Sequence, residues 1–481
     1  MLWLSLHLPQ LPLEIFTRGT EACGPAVAVE GDRQRAQVRV ANRPAEKLGV
    51  HAGMTIAAAQ ALASELQVFP RDPQKEAAAL ARLATWAGQF TSHVSLEPDG
   101  LLLEIAGSLR LFGGVERLLE KVRKGVRRLG YHAILAVAPT PLGATLLARA
   151  GDTVVVADHA QLVERLSRLP IVLLDMPPDS GRAHADMLEA MGILTLGDYL
   201  ALPRAGLKRR FGGDLPDQLD RALGSVPDPR EYFEPPAQFA SRLELPAEVH
   251  ETTALLFAAR RLIAELEGFL RGRGVGVQQF HLDLDHADHS ATRITVGLAS
   301  SSRDSQRLLG LLRERLERVT LPQPVRGIVL AAERTAPCQA RNLDLFPDAR
   351  QEAENVAPLV ERLRARLGDG MVHSLECVAD HRPERAMRVA EPGAAYEAGF
   401  SASRPLWLLP QPRPLPCRNG VPHLGVPLIL RQGPERIESG WWDGRPVARD
   451  YFVAEAVGGP RYWVYREAVE AERWFLHGIF S

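Results

Sequence analysis

Over the first eight residues, Leu2, Leu4, Leu6 and Leu8 alternate with Trp3, Ser5 and His7. That period of two predicts a strand. Residues 45–66 hold a turn at His51-Ala52-Gly53 followed by an alanine-rich helix, and residues 73–90 are helical by composition. The segment HVSLEPDGLLLEIAG predicts a hairpin with Pro98-Asp99-Gly100 in its middle and Leu101–Ile105 as an apolar strand. A basic helix over 115–129, a strand His132–Ala138 and a helix over 142–150 follow. Strand, helix, hairpin, helix, strand is the order of an α+β sheet with helices on one face.

From about 166 to 225 the chain reads as short helices broken by Gly and Pro, with the basic cluster Lys208-Arg209-Arg210 inside that stretch. Residues 240–335 return to mixed α/β. A long helix (251–272) leads into the alternating strand Val275–Leu284, then Thr292–Leu298, a helix (304–318) and the strand Val325–Ala332. The last eighty or so residues differ in texture. Pro405, Pro410, Pro412, Pro414, Pro416, Pro422 and Pro427 predict an extended, partly polyproline-like segment over 404–427. ARDYFVAEAVGGPRYWVYRE predicts a hairpin turning at Gly458-Gly459. Five of the seven tryptophans lie in this tail: Trp407, Trp441, Trp442, Trp463 and Trp474.

Composition narrows the class. The 481 residues suggest three or four domains at roughly 100–200 residues each. The 57 Lys and Arg nearly cancel 58 Asp and Glu, for a net charge of −1. A bulk polycation held on nucleic acid by charge is thereby excluded, and any DNA contact must come from local basic patches. Cys23, Cys338, Cys377 and Cys417 stand far apart with no Cys-x-x-Cys pair, so neither a zinc site nor a disulfide framework is indicated. The apolar N-terminus lacks a basic flank, and there is no run of 18 apolar residues. No signal peptide and no membrane span are expected, and the expected location is the cytoplasm.

Several segments carry a family resemblance. Ala45-Glu46-Lys47-Leu48-Gly49-Val50 with Ala52-Gly53-Met54, LEIAGSLRLFGG (103–114), AVAPTPLGATLLA (136–148) and GILTLGDYLALP (192–203) resemble, in order, the fingers, palm and helix-hairpin-helix thumb of Y-family translesion DNA polymerases. The tail segments RPLWLLPQPRPL, ERIESGWWDG, ARDYFVA and WFLHGIFS resemble the homologue of that family carried in bacterial damage-inducible mutagenesis cassettes. The resemblance implies an α+β multidomain fold. Palm and fingers would occupy 1–165, the thumb 166–228, a little-finger-like α/β domain 229–336, a clamp-binding peptide with a helical linker 337–403, and a small aromatic-rich partner-interaction module 404–481.

The resemblance also sets a test of catalytic chemistry. Nucleotidyl transfer needs carboxylates from separate strands to hold two Mg²⁺ ions about 4 Å apart. Laid on the family's pattern, His7 stands at the first Asp and Pro9 at the position whose carbonyl helps bind metal. Glu97-Pro98-Asp99-Gly100 keeps Asp99 but places Gly100 where its Glu neighbour belongs. The triphosphate-contacting Tyr and Arg fall at Arg43 and Glu46, the palm Lys at Pro141, and the aromatic gate against ribonucleotides at Pro12. No Asp precedes Asp32, so no small shift of register restores the first ligand. One carboxylate and an imidazole do not replace a cage of hard oxygen ligands. The expectation is a pseudo-polymerase with no catalytic residue, metal or cofactor, in which His7, Asp99 and Gly100 are vestigial. Glu97, Asp99 and Glu104 form a weaker carboxylate set, and an active polymerase with an atypical metal site is the alternative.

Three further features point to partners. Asn342-Leu343-Asp344-Leu345-Phe346 resembles the peptide that binds the bacterial sliding clamp (its beta subunit), with Leu345 and Phe346 as apolar anchors. Asn342 is one methylene short of the Gln usual at that position. The helix-hairpin-helix turn reads Asp179-Ser180-Gly181, with an acid in place of one glycine. Gly181, Lys208, Arg209 and Arg210 are therefore expected to give only weak, sequence-independent DNA contact. The tail tryptophans fit either the core of a small domain or an interface. By resemblance they would recruit an error-prone C-family DNA polymerase and ImuA or another RecA-like partner. A DNA-binding repair factor that acts without the clamp is the third class of reading.

Overall fold

The computed structural model describes residues 1–18, 24–31, 35–174, 181–203, 206–207, 209, 214–337, 359–360, 363–364, 366–390, 404–468 and 473–480. The chain divides into two compact units, residues 1–345 and 346–481.

The leucine alternation at the N-terminus forms β1 (Trp3–His7), and Pro12 sits in the first turn of α1 (Leu11–Thr17), where its missing N–H is harmless. A small three-stranded sheet follows, built from β2 (Ala26–Glu30), β3 (Gln37–Ala41) and β4 (Gln67–Pro70) in the order β3-β2-β4. Between its last two strands lie α2 (Arg43–Lys47) and α3 (Ile56–Leu62), whose first turns are capped by the side chains of Asn42 and Thr55. The chain then runs through α4 (Pro73–Ala87), the hairpin β5 (Val94–Glu97) and β6 (Gly100–Glu104), α5 (Leu109–Phe112), α6 (Val115–Arg128), β7 (Ile134–Ala138) and α7 (Pro141–Arg149).

The central sheet has the order β5-β6-β1-β7 and is antiparallel throughout. Leu4, Leu6, Leu101, Leu103, Leu135 and Val137 form one face and share a core with Leu83 of α4 and with Leu118 and Val122 of α6. Trp3, Leu102, Ala136 and Ala138 form the other face and pack with α7. Helices on a single face were expected; they cover both. The unbroken run Leu101-Leu102-Leu103 explains this, because such a strand must bury both of its sides.

The second core cluster continues into α8 (His159–Ser167), α9 (Gly181–Ala190), α10 (Leu196–Leu200) and α11 (Asp214–Ala222) through Leu162, Leu188, Tyr199 and Leu215. Thr195 and Asp198 close a reciprocal capping box on α10. Next come β8 (Ala240–Val249), α12 (Thr252–Arg273), β9 (Val275–His286), β10 (Ala291–Ser302), α13 (Ser305–Leu316) and β11 (Val325–Pro337). Their sheet order is β10-β9-β11-β8. The helix α12 lies against α4, and the Trp86 indole fills the space left by Gly268, where a Cβ would come within 2.3 Å of Trp86 Cδ1.

In the second unit, the helical linker expected before residue 403 is only partly helical among the described residues. Residues 374–390 instead hold an antiparallel pair, β12 (Ser374–Cys377) with β13 (Met387–Ala390), tied by the Arg388–Glu376 ion pair at 2.8 Å. The tail is one antiparallel sheet of β14 (Trp407–Leu415), β15 (Cys417–Arg418), β16 (Val421–Leu424), β17 (Val426–Ser439), β18 (Val447–Ala456), β19 (Arg461–Glu467) and β20 (Trp474–Ile479). Its order is β14-β20-β19-β18-β17-β16-β15, and β18 and β19 are the expected hairpin. The proline-rich segment is not polyproline-like; it forms the nine-residue edge strand β14, the short strands β15 and β16, and the start of β17. Prolines are tolerated in β14 because pairing with β20 breaks between Leu408 and Arg413.

Candidate functional site

The hairpin turn between β5 and β6 sets Asp99 beside the end of β1. His7 lies directly opposite Gly100 in the strand pairing, and the Asp99 carbonyl accepts the Leu8 N–H at 2.9 Å. His7 Nδ1 stands 3.3 Å from Asp99 Oδ2. All three positions expected to be vestigial therefore converge. Arg149, the last residue of α7, closes on the same carboxylate: its Nε donates to Oδ2 at 2.9 Å and its Nη2 to Oδ1 at 3.2 Å. Burial pushes the Asp99 carboxyl up, but hydrogen bonds from His7 and Arg149 outweigh it and hold the pKa at about 2.

Glu97, at the end of β5, is the second acid of the cluster. Arg230 binds it at 2.7 Å and also pairs with Asp228 at 2.5 Å. Burial raises the Glu97 pKa against the pull of Arg230 and Arg149. Glu104 does not join them. It lies at the far end of β6, opposite Trp3, and accepts the N–H groups of Leu2 and Ala106.

These residues do not fit a pair of Mg²⁺ ions. Both nearby carboxylates are engaged by guanidinium groups, and His7 offers a nitrogen where a hard oxygen is needed. Gly100 is not a vacant place for the missing Glu, because a Cβ there would lie 2.0 Å from the Leu6 carbonyl oxygen. Among the described residues no cluster of three or more His, Cys, Asp or Glu is arranged to hold a metal. Arg43 and Glu46 share the first turn of α2, and Pro141 is the N-terminal residue of α7. Sequence reasoning missed Arg149, Arg230 and Asp228; the two arginines lie far along the chain from Asp99 and Glu97, which only folding brings to them, and Asp228 joins through Arg230.

The other sequence-derived sites distribute as follows. The clamp-type peptide Asn342–Phe346 lies outside the described residues, as do Lys208, Arg210, Asp179 and Ser180. Gly181 opens α9, and Arg209 is exposed. Of the five tail tryptophans, Trp407, Trp441 and Trp442 are exposed. Trp463 and Trp474 are not surface residues: at 2% and 5% exposure they form the cores of the tail sheet, with Tyr451 stacked on Trp463 at 4.1 Å. Alternation along β19 and β20 points them inward. Among the described residues no helix is long and apolar enough to cross a membrane.

Comparison with known proteins agrees with this architecture. The impB/mucB/samB family matches residues 21–149, and the C-terminal domain of that family matches residues 237–345. DNA polymerase IV of Dehalococcoides mccartyi is 23% identical over 316 residues, covering 60% of this chain and 79% of that one. Crystalline DinB from Sulfolobus solfataricus aligns at 19% identity with a TM-score of 0.38, over 69% of this chain and 98% of that one. The family matches, together with the relative that follows, define the class, a homologue of the Y-family DNA polymerases. Protein ImuB of Caulobacter vibrioides is 30% identical over 462 residues, covering 90% of this chain and all of that protein. The chain belongs to the ImuB group of Y-family polymerase homologues.

Proposed function

We propose that the chain is a non-catalytic, polymerase-shaped adaptor for translesion synthesis and damage-induced mutagenesis in the SOS response of the bacterial cytoplasm. The observation that carries this reading is the grip of Arg149 on Asp99. A guanidinium neutralises the carboxylate that a polymerase needs for metal, and Gly100 leaves no room for its partner acid. The residues Asn342, Leu343, Asp344, Leu345 and Phe346 tether the protein to the sliding clamp. The tail unit recruits an error-prone C-family DNA polymerase and ImuA or a similar RecA-like partner, with Trp407, Trp441 and Trp442 as its exposed anchors. Joining clamp and polymerase on one chain raises their effective concentration at a lesion without any chemistry by the adaptor itself. Weak, non-specific DNA contact through Gly181, Lys208, Arg209 and Arg210 suffices when the clamp supplies the tether.

Primer extension with Mg²⁺ or Mn²⁺ tests the reading, with an active Y-family polymerase as positive control. No extension is expected. Extension that disappears in Asp99→Ala overturns it in favour of an active polymerase with an atypical metal site.

A further inference from the structure

A stripe of cations runs along the outer side of α6, away from the Asp99 cluster. Arg117, Lys121, Lys124 and Arg128 are spaced by four, three and four residues, which places them on one side of the helix. The opposite side, Leu118, Leu119, Val122 and Val126, is buried. From Arg117 to Arg128 the stripe is about 16 Å long. The helix holds six cations, the four above with Arg123 and Arg127, against Glu116 and Glu120, in a chain whose net charge is −1. Such a local excess in a neutral protein is the electrostatic footprint of an anionic partner.

The stripe borders a groove. Between α6 and α12 an open cavity of about 250 Å³ is lined by Lys121, Lys124, Arg128 and Arg271, with Phe112 and Glu267 among its other walls. The acids there are few. Glu120 meets Lys124 at 2.6 Å, and Glu267 meets Arg271 at 2.6 Å and Arg128 at 3.5 Å; all three cations in these pairs are more than half exposed. The Glu120–Lys124 pair, exposed on both sides, is worth little and exchanges readily for phosphate, whereas Glu267 is buried and anchors Arg271. Lys121 Nζ sits 5.3 Å over the partly exposed Phe112 ring, which itself rests on Phe90 at 5.6 Å. Cations in a row beside an aromatic face are the combination that holds single-stranded nucleic acid, by phosphate contact and base stacking.

We infer that the groove between α6 and α12 is a second nucleic-acid site. Arg117, Lys121, Lys124 and Arg128 take the phosphates of single-stranded DNA, Arg271 lines the facing wall, and Phe112 stacks a base. The site is separate from the polymerase-like one. The buried side of α6 packs on one face of the central sheet, whereas α7, which carries Arg149, packs on the other.

Fluorescence anisotropy of the full chain with labelled oligo-dT, over about 50–200 mM salt, tests the site. Lys121→Gln with Lys124→Gln and Arg128→Gln is expected to weaken binding at least tenfold and to lower the log–log salt slope by about 2, at about 0.7 per single-strand phosphate contact. Phe112→Ala is expected to weaken binding about fivefold or more with the slope unchanged. Circular dichroism checks folding. If the triple variant fails that check, Arg117→Gln with Lys121→Gln replaces it, with an expected slope change of about 1.4. Unchanged affinity and slope overturn the proposal. So does full loss of binding on replacing Lys208, Arg209 and Arg210 alone, and so does equal binding of polyglutamate, which would mark a generic acidic-protein surface.

Discussion

Arg149 holds Asp99 in a two-bond fork, Nε to Oδ2 at 2.9 Å and Nη2 to Oδ1 at 3.2 Å. That parallel geometry is the strong form of an Arg–carboxylate contact. It places a fixed, always-charged cation on Asp99, and His7 Nδ1 stands 3.3 Å from the same carboxylate. Asp99 thereby titrates at about 2 rather than its ordinary 3.8.

Removing the guanidinium is expected to return that pKa upward. A folded-state pKa below the unfolded one contributes stability that is complete above about pH 3.8 and is lost as pH falls toward 2. Arg149→Ala should raise the Asp99 midpoint in a carboxyl-carbon NMR titration and reduce the acid-dependent part of stability in that window. A titration unmoved by the substitution removes Arg149 as the cause.

Arg18 and Glu265 form a second such relationship, deep between the helices of the first unit. Their side chains are 1% and 3% exposed and 2.9 Å apart. Arg18 also donates to the Tyr131 hydroxyl at 2.7 Å, and Ser241 donates to Glu265. Glu265→Ala strands a buried cation and is expected to cost about 3–5 kcal/mol in urea unfolding of the full chain. Arg18→Met with Glu265→Leu should recover most of that loss, since an apolar pair of similar volume needs no partner. A double variant as unstable as the single one contradicts the argument.

These two clusters mark what the sequence makes legible. The strands and helices of the first unit were readable because Leu2–Leu8 and Leu101–Ile105 carry their burial pattern locally. The hairpin that sets Asp99 beside Gly100 was readable from the Pro98-Asp99-Gly100 turn, whereas the approach of His7, some ninety residues away, comes from the pairing of β1 with β6 and was left open by the sequence. Arg149, Arg230 and Glu265 were not readable either, since each finds its partner through tertiary packing that no spacing encodes. Strand β8 was not localised because Ser241 and Leu243 alternate with Arg242 and Glu244, a half-buried pattern with little apolar signal. The proline-rich β14 misled because composition reports φ preference, whereas the neighbouring strand decides pairing.

His477 makes the tail sheet sensitive to acid. It is fully buried, its Nδ1 lies 2.7 Å from the Tyr451 hydroxyl, and Trp463 stacks beside it at 6.0 Å. Burial lowers its pKa from 6.5 to about 4, with nearby Glu384 opposing and Arg449 assisting. The unfolded chain takes up a proton below pH 6.5 that the folded chain refuses until about 4. Stability of this unit should therefore fall as pH drops from 6.5 to 4, by up to about 1.4 kcal/mol per pH unit, and level off below. Near-ultraviolet circular dichroism during thermal unfolding reads it, and His477→Gln should flatten that slope.

The proposed clamp tether is a stretch of five residues, two of them apolar anchors. Leu345→Ala with Phe346→Ala removes both apolar side chains expected to fill the clamp pocket, at about 2 kcal/mol or more each for buried anchors. Pull-down by the sliding clamp should be abolished while the melting temperature stays put. Asn342→Gln supplies the missing methylene and should tighten the contact. Undiminished capture of the double alanine variant rules out this peptide as the tether.

The tail tryptophans separate fold from interface. Trp441 and Trp442 are 74% and 56% exposed and meet edge to face at 4.7 Å. Arg382 lies 5.6 Å over the Trp442 ring and is itself fixed by Asp380 at 2.7 Å and Asp443 at 2.8 Å. Two large exposed rings held in place by a buried arginine lose little conformational freedom when a partner covers them, which is the property of an interface anchor. Trp441→Ala with Trp442→Ala should therefore cost about 2 kcal/mol or more, roughly 30-fold, in binding of the C-family polymerase or the RecA-like partner, with thermal unfolding unchanged. Trp463→Ala should do the reverse. It empties a core position stacked on Tyr451 and is expected to cost about 3–5 kcal/mol of stability, so any lost binding would follow lost fold. Partner binding that survives the surface pair but fails with a fully folded Trp463→Ala protein would place the interface on the other residues of the sheet.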